Sequence, residues 1–216
     1  MNGVKSKPKK LTCNVPQGSV LGPEFFSDYS SPLADLIRSL GISVHLYADD
    51  SQLYLAFKAK SNESAALKNL ETCICEVRKW MASNSLKLND DKTEFLVLGT
   101  RHQLAKVHTQ TLTIGNEKIN RVHCAKNIGF WFDEKMKCDI QVQNICRAAW
   151  MHIRNIGKIR KYLRDKDTAQ LIHAFVTNKL DNNNSLLYGI DAYLIKKLQH
   201  IQASAHHAIQ PPSTLR

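Results

Sequence analysis

The stretch SVHLYADDSQLYLAF, residues 43–57, decides the fold of this chain because it has the pattern of strand, polar turn and strand. Apolar and polar residues alternate on both sides of two adjacent acids, Asp49 and Asp50. Such alternation predicts two short strands joined by a tight turn. Asp is also frequent in turns for purely structural reasons, since its side chain can bond its own backbone. The stretch therefore predicts a β-hairpin and leaves open whether its acids have a chemical role.

A metal site is the functional alternative for the two acids. Neighbouring carboxylates repel each other unless a cation lies between them. Mg²⁺ prefers oxygen ligands, and it often binds through one or two carboxylates together with substrate phosphates. A magnesium site at the turn and a plain hairpin both explain Asp49 and Asp50, so other parts of the chain must distinguish them.

The bulk composition restricts the class of protein. A length of 216 residues suits one sizeable domain or two small ones. An apolar content of 43% indicates a folded chain rather than a disordered one. The net charge of +11 favours a polyanionic partner, nucleic acid rather than membrane. The sequence contains no run of about 18 apolar residues, so no transmembrane helix is predicted. The basic start MNGVKSKPKKLTC lacks an apolar segment of signal-peptide length. We therefore expect an intracellular location, nuclear or cytoplasmic, with no membrane partner.

The cysteines predict neither a disulfide framework nor structural zinc. Six Cys in 216 residues are too sparse for a disulfide scaffold. Cys73 and Cys75 are separated by a single residue, which is the wrong spacing for a zinc knuckle. We expect free and mostly buried thiols.

Periodic patterns divide the chain into two parts. Up to about residue 134, helical patterns alternate with short strand patterns, and beyond it only helical patterns occur. The predicted helices lie near 23–40, 61–84, 139–163, 166–180 and 191–209, and the predicted strands lie at 93–98, around Gly115-Asn116 and within 127–136.

The helical part is rich in basic residues that few acids balance. Such a run is commonly just a solvated helix face, but its density here favours contact with nucleic-acid phosphates. The candidate nucleic-acid-binding residues are Arg154, Lys158, Arg160, Lys161 and Arg164.

Several motifs occur in the order found in one family of polymerases. They are VPQGSVLGP (15–23), LYADD (46–50), WMASNSLKLNDDKTEFLVLG (80–99) and NIGFWFD (127–133). Together they resemble the palm of reverse transcriptases from non-LTR (LINE-type) retrotransposons. The later SLLYGIDAYLIKKLQHIQ (185–202) is similar to the segment that follows the polymerase core in the Jockey/CR1-like branches.

This resemblance implies an α/β (α+β) fold in two regions. The first, residues 1–134, would be a partial polymerase palm sheet with packed helices, and the second, residues 135–216, an all-helical region like a polymerase thumb. The implied partners are an RNA template, a DNA primer and deoxynucleoside triphosphates, and the oligomeric state is left open.

The resemblance also assigns roles to individual residues. Nucleotidyl transfer to a primer 3′-hydroxyl uses two Mg²⁺ ions, and Asp49 would be a direct metal ligand with Asp50 supporting it. Tyr47 would lie beside the primer terminus. Three further positions match nucleotide-contacting residues of the family: Gln17 and Gly18 against the incoming nucleotide and template, and Lys92 near the triphosphate. Ordinary roles, a polar turn residue for Gln17 and an exposed lysine for Lys92, are the alternatives.

One departure from the family bears on activity. The family places a third carboxylate on a strand before the PQG loop, whereas residues 1–14 contain neither Asp nor Glu. We therefore expect this polypeptide alone to lack polymerase activity. A non-catalytic, basic RNA- or DNA-binding module and a non-functional retrotransposon remnant are the competing interpretations.

Overall fold

The structure, a computed structural model, describes residues 18–115 and 117–209. The chain divides into two compact units. Within the described residues, the first comprises 18–92 with 113–115 and 117–118, and the second comprises 93–112 with 119–209. Helices and short strands are both present, so the predicted mixed α/β character is confirmed. The predicted boundary after residue 134 stays a prediction.

The first unit consists of a helix, a hairpin and a second helix. Pro23 lies in the first turn of the first helix, where its missing N–H leaves no bond unmade. Gly41 follows that helix with a φ of +75°, a conformation that Gly adopts without strain and that ends the helix. The elements are α1 (Gly22–Ser39), β1 (Ser43–Tyr47), β2 (Asp50–Tyr54) and α2 (Glu63–Ser83), followed by a short 3₁₀ turn at Asp90–Lys92.

An apolar core joins these four elements. Helical spacing places the buried residues of α1 on one face, and strand alternation does the same for β1. One face of the hairpin is therefore buried, which fixes its register, because a one-residue slip would turn every apolar side chain to the other face. The buried members are Leu33, Ala34, Ile37, Ile42, Val44, Cys73 and Val77.

The second unit combines short strands with a group of helices, although the strand segment is interrupted by Thr113–Lys118, which belong to the first unit. The strands, with the short helix between them, are β3 (Phe95–Leu96), α3 (Arg101–Leu104), β4 (Thr111–Ile114), β5 (Glu117–Val122), β6 (Cys124–Asn127) and β7 (Phe130–Asp133). In one sheet β5 lies between β3 and β4, and β3 pairs with β5 in parallel, while β6 and β7 form an antiparallel hairpin. The later helices are α4 (Asp139–Ile159), α5 (Asp165–Ile172), α6 (Asn178–Asp181) and α7 (Ala192–Ile209), with a π-helical segment at His173–Thr177.

The helices of the second unit share a core of their own. Four helical segments contribute to it, and its members recur at helical spacing along α4 and α7. The three predicted helices beyond residue 134 are all helical in the structure, although the middle one consists of three successive segments. The buried members are Ala149, Ile156, Ile172, Val176, Ile201 and Ala205.

The expectation of free cysteines is confirmed, but that of mostly buried ones is not. The five cysteines within the described ranges are free thiols, of which Cys73 and Cys138 are buried and the other three are half-buried. Burial raises the pKa of Cys73, Cys138 and Cys146. No helix in the described part of the chain is long and apolar enough to span a membrane.

Candidate active-site hairpin and basic helices

The two adjacent acids lie at the tip of the β1–β2 hairpin. Tyr47 pairs with Asp50, so the turn between the strands consists of Ala48 and Asp49 alone. Ala48 has a φ of +52°, and a positive φ at this position is what two-residue hairpin turns require. Asp49 therefore lies in the turn itself, and Asp50 is the first residue of β2.

The hairpin buries one face and exposes the other. Val44 packs in the apolar core of the first unit, with Leu46 and Leu53 partly buried against it. By strand alternation, Tyr47 and Asp50 belong to the opposite face, and both are exposed, as is Asp49. The buried face thus anchors a tip whose two carboxylates are accessible from solvent.

A stacked pair that the sequence patterns did not reveal lies on the same exposed face. The rings of His45 and Tyr54 are stacked with centroids 5.3 Å apart, and Tyr54 Oη lies 3.0 Å from His45 Nε2. Strand alternation puts both residues on the face of Tyr47 and Asp50. The face beside the acids is consequently aromatic, and the hairpin register is the only signal that could have shown it.

The donor set fits one hydrated cation better than two. Among the described residues no group of three or more His, Cys, Asp or Glu side chains could hold a metal ion. The remaining residues, 1–17, 116 and 210–216, contain no Asp or Glu. Mg²⁺ retains several waters and is often held by one or two carboxylates, which Asp49 and Asp50 provide. A two-ion centre needs more anionic ligands than this tip supplies.

Two of the other predicted nucleotide-contacting residues, Gly18 and Lys92, belong to the same unit as the hairpin. Lys92 ends the short 3₁₀ turn and is exposed. Gly18 is exposed, has a φ of +88°, and would have no atom within 4 Å of an added Cβ. Gln17 lies outside the described residues. The structure brings Tyr47, Asp49 and Asp50 together at one tip, while the roles of Gly18 and Lys92 stay predictions.

The predicted basic residues differ in their surroundings. Arg154 and Lys158 are exposed on α4, and within the described ranges neither forms an ion pair. The ammonium of Lys161 lies 4.8 Å from the centre of the Tyr162 ring. These three cations are accessible to a polyanion.

Arg160 and Arg164 are engaged within the protein. The guanidinium of Arg160 is 16% exposed and lies 2.5 Å from a carboxylate oxygen of Asp165. It also donates to the carbonyl oxygens of Ala208 and Ile209 at 3.2 and 3.0 Å, which ties it to the end of α7. Arg164 donates twice to Asp167, at 2.8 and 3.1 Å, and this pairing lowers the pKa of the Asp167 carboxyl.

A buried ion pair stabilises the β-strands of the second unit. The guanidinium of Arg121, 7% exposed, donates to Glu134 at 3.1 Å. His123 Nδ1 lies 3.1 Å from the same carboxylate oxygen. The hydrogen bond from His123, followed by the charges of His123 and Arg121, lowers the pKa of Glu134. The pair fixes the segment that follows β7.

Comparison with known proteins gives the family of this chain. The family model described as reverse transcriptase (RNA-dependent DNA polymerase) matches residues 1–132, more than half of the chain. The RNA-directed DNA polymerase from mobile element jockey of Drosophila melanogaster is 25% identical over 154 residues, which cover 68% of this chain and 16% of that relative. The match thus spans about a sixth of the relative's length. No solved structure matches the chain.

Proposed function

We propose that this chain, which belongs to the reverse transcriptase family, contributes a carboxylate-bearing hairpin and a basic helical surface to an RNA-directed DNA polymerase. The reaction would be transfer of deoxynucleotides to a primer 3′-hydroxyl on an RNA template. The exposed tip that carries Asp49 and Asp50 supports this proposal most directly, because its opposite face is anchored in the core. The family match also includes the whole hairpin.

Residues of the hairpin tip and of two other segments would each have a separate binding role. Asp49 and Asp50 would hold a hydrated Mg²⁺, which when bound supplies charge stabilisation to phosphate oxygens. Tyr47, opposite Asp50, would contact the primer end. Gly18 would permit close approach of a nucleotide because it has no side chain. Gln17 would contact the incoming nucleotide and the template, and Lys92 would lie near the triphosphate.

A second part of the proposal is that the 216-residue chain does not catalyse polymerisation by itself. Two carboxylates at one tip are too few for two divalent ions, and no described group of three potential ligands supplements them. Primer extension on an RNA template with Mg²⁺ tests this directly. Template-dependent extension by the chain, abolished in Asp49→Asn, would overturn it.

Metal binding at the tip is tested separately from catalysis. Titration with Mn²⁺, followed by electron paramagnetic resonance, should show weak binding that Asp49→Asn or Asp50→Asn reduces by about tenfold, since each carboxylate is a principal ligand. Asp28→Asn removes another exposed acid and is the matched control. Equal Mn²⁺ affinity in all three variants would contradict a metal site at the hairpin.

A nucleic-acid-binding module without catalysis is the second candidate. The observation that favours it is the exposed, unpaired state of Arg154 and Lys158 within the described ranges, together with the net charge of +11. Binding to a fluorescent RNA–DNA hybrid should weaken steeply as salt rises, because phosphate contacts release counterions.

Two sets of substitutions distinguish the polymerase component from the nucleic-acid-binding module. Arg154→Gln with Lys158→Gln should weaken hybrid binding, whereas Asp49→Asn should not. A folded chain that binds hybrid but no Mn²⁺ would favour the module alone, and a chain that neither folds nor binds hybrid would favour a non-functional remnant.

A further inference from the structure

We propose that Arg101, Lys135 and Lys137 form a phosphate-binding pocket, called here the basic pocket, in the second unit. This inference rests on the proposed function for the source of the phosphate, a nucleic-acid strand. The pocket is a cavity of about 540 Å³ lined by Thr100, Arg101, Lys135 and Lys137. Its lining contains three cationic side chains and one hydroxyl, and none of these four residues is acidic.

A backbone hydrogen bond joins the two sides of the basic pocket, and a helix cap orders the first side. The N–H of Gly99 donates to the carbonyl oxygen of Glu134 at 2.9 Å, which joins the segment carrying Arg101 to the segment carrying both lysines. On the first side, Thr100 caps α3: its hydroxyl oxygen accepts from the Gln103 N–H, and its own N–H donates to the Gln103 side chain.

The second side of the basic pocket is fixed by one carboxylate. Asp133 accepts hydrogen bonds from the backbone N–H groups of Lys135, Lys137 and Cys138 at 3.1, 3.0 and 2.7 Å. This arrangement sets the backbone of the turn from which both lysine side chains project. Since the fold already orders both sides, a ligand would have to order only the ends of the side chains.

Three acids lie near the basic pocket, and the carboxylate of Asp133 is already engaged by three backbone N–H groups. Glu134 is already compensated by the buried guanidinium of Arg121 at 3.1 Å, so its approach to Lys135 Nζ at 3.6 Å is a secondary contact. Asp191 lies 3.6 Å from Lys137 Nζ, and both side chains are more than half exposed. Exposed pairs of this kind contribute little and exchange readily for another anion.

Arg101 is the cation best placed to select a ligand. It is exposed, and no carboxylate pairs with it in the described part of the chain. A guanidinium donates in a fixed fork that matches two phosphate oxygens, whereas lysine ammonium groups act as point charges on the same anion. The three side chains together favour a phosphate group, from a nucleic-acid strand or from free pyrophosphate.

The test compares two variants of equal net charge. The pocket variant combines Arg101→Gln, Lys135→Gln and Lys137→Gln. The control variant combines three exposed lysines of the second unit that do not line the pocket: Lys126→Gln, Lys179→Gln and Lys196→Gln. Circular dichroism and thermal unfolding of both variants establish that they are folded, and a third variant, Arg101→Lys, preserves the charge.

Two ligands are then titrated. Pyrophosphate binding is followed by ³¹P nuclear magnetic resonance at low salt, and binding of a short RNA–DNA hybrid is followed by fluorescence anisotropy across a salt series. We expect the pocket variant to bind pyrophosphate about tenfold more weakly than the control variant. If the phosphate comes from a strand, the slope of log K against log salt should also fall by about 1. Arg101→Lys keeps the charge but loses the two-pronged donor, so its pyrophosphate affinity should lie between those of the wild type and the pocket variant.

The outcomes separate the pocket from the proposed function. Loss of pyrophosphate affinity without a change in the salt slope assigns the pocket to free phosphate. Equal pyrophosphate affinity and equal salt slope in the pocket and control variants overturn the inference, even if the wild type binds the hybrid. A wild type that binds no hybrid refutes the nucleic-acid proposal, while the pyrophosphate titration still tests the pocket.

Discussion

Tyr47 and Asp50 are paired across the first hairpin, as the last residue of β1 and the first of β2. This pairing leaves only Ala48 and Asp49 for the turn. The two acids therefore lie at consecutive positions of the tip, one within the turn and one on the strand face of Tyr47. Their placement depends on the turn backbone, which makes Ala48 the position to alter.

Ala48→Gly should stabilise the chain. The φ of +52° at Ala48 costs a non-glycine residue roughly 1–2 kcal/mol, and Gly removes this cost. The greater conformational freedom of Gly in the unfolded chain offsets part of the resulting stabilisation. We expect a net increase of about 0.5 kcal/mol in the free energy of unfolding, measured by urea denaturation. Ala56→Gly, at an exposed position without a positive φ, should destabilise instead. Equal losses in both variants would show that the turn is not strained.

Ile37→Ala should destabilise the first unit strongly. Ile37, on α1, is fully buried in the core that α1 shares with the hairpin and α2. Its truncation leaves a cavity that costs about 2–5 kcal/mol. Leu21→Ala, at a position 52% exposed, should change the free energy of unfolding by less than about 0.5 kcal/mol. Urea denaturation measures both variants. A loss at Ile37 as small as that at Leu21 would contradict the assigned core.

Glu134→Gln should change how stability depends on pH. Its lowered pKa means that the unfolded chain binds this proton more readily than the folded chain does. The stabilisation is therefore present above the pKa of the unfolded state and is lost as pH falls through the folded pKa. At pH 7 we expect Glu134→Gln to cost about 2 kcal/mol, because Arg121 keeps a hydrogen bond but loses its ion pair.

Thermal unfolding from pH 7 to about pH 3 measures this effect. The gap in melting temperature between wild type and Glu134→Gln should be largest at neutral pH and should shrink in acid. A gap that stays constant across this range would mean that the carboxylate charge does not stabilise the fold.

Arg160→Lys should loosen the end of α7. A lysine cannot reproduce the simultaneous hydrogen bonds of Arg160 to the carbonyl oxygens of Ala208 and Ile209. Losing one such bond, at about 1.4 kcal/mol, would accelerate amide hydrogen exchange in the last turn by about tenfold. Arg154→Lys is the matched control, because Arg154 is exposed and makes no comparable bonds in the described part of the chain. Unchanged exchange in both variants would contradict a structural role for Arg160.

Local pattern predicted most of the secondary structure. The hairpin at residues 43–54 and the helix ending near Asn84 follow from alternation and helical spacing over a few residues. The predicted strand at 93–98 was too long, because only Phe95 and Leu96 pair, with Arg121 and Val122 of β5. Strand length depends on a partner distant in sequence, so a local pattern cannot fix it.

The candidate site was only partly predictable. The motif placed Asp49 and Asp50 at a turn, and the hairpin register then put His45 and Tyr54 on the face beside them. The basic pocket was not foreseen, because Arg101 is more than 30 residues from Lys135 and Lys137 in the chain. No spacing rule connects residues that only the fold brings together.

The sequence by itself determined the family, the adjacent acids and the positive charge, since these depend on residue identity and order. Only the tertiary structure decided which cations are accessible. Arg154 and Arg160 belong to one basic run, yet Arg154 faces solvent while Arg160 binds the end of α7, 48 residues away. The physical reason is that a side chain's availability depends on what packs against it, and packing partners are set by the fold and not by neighbours in sequence.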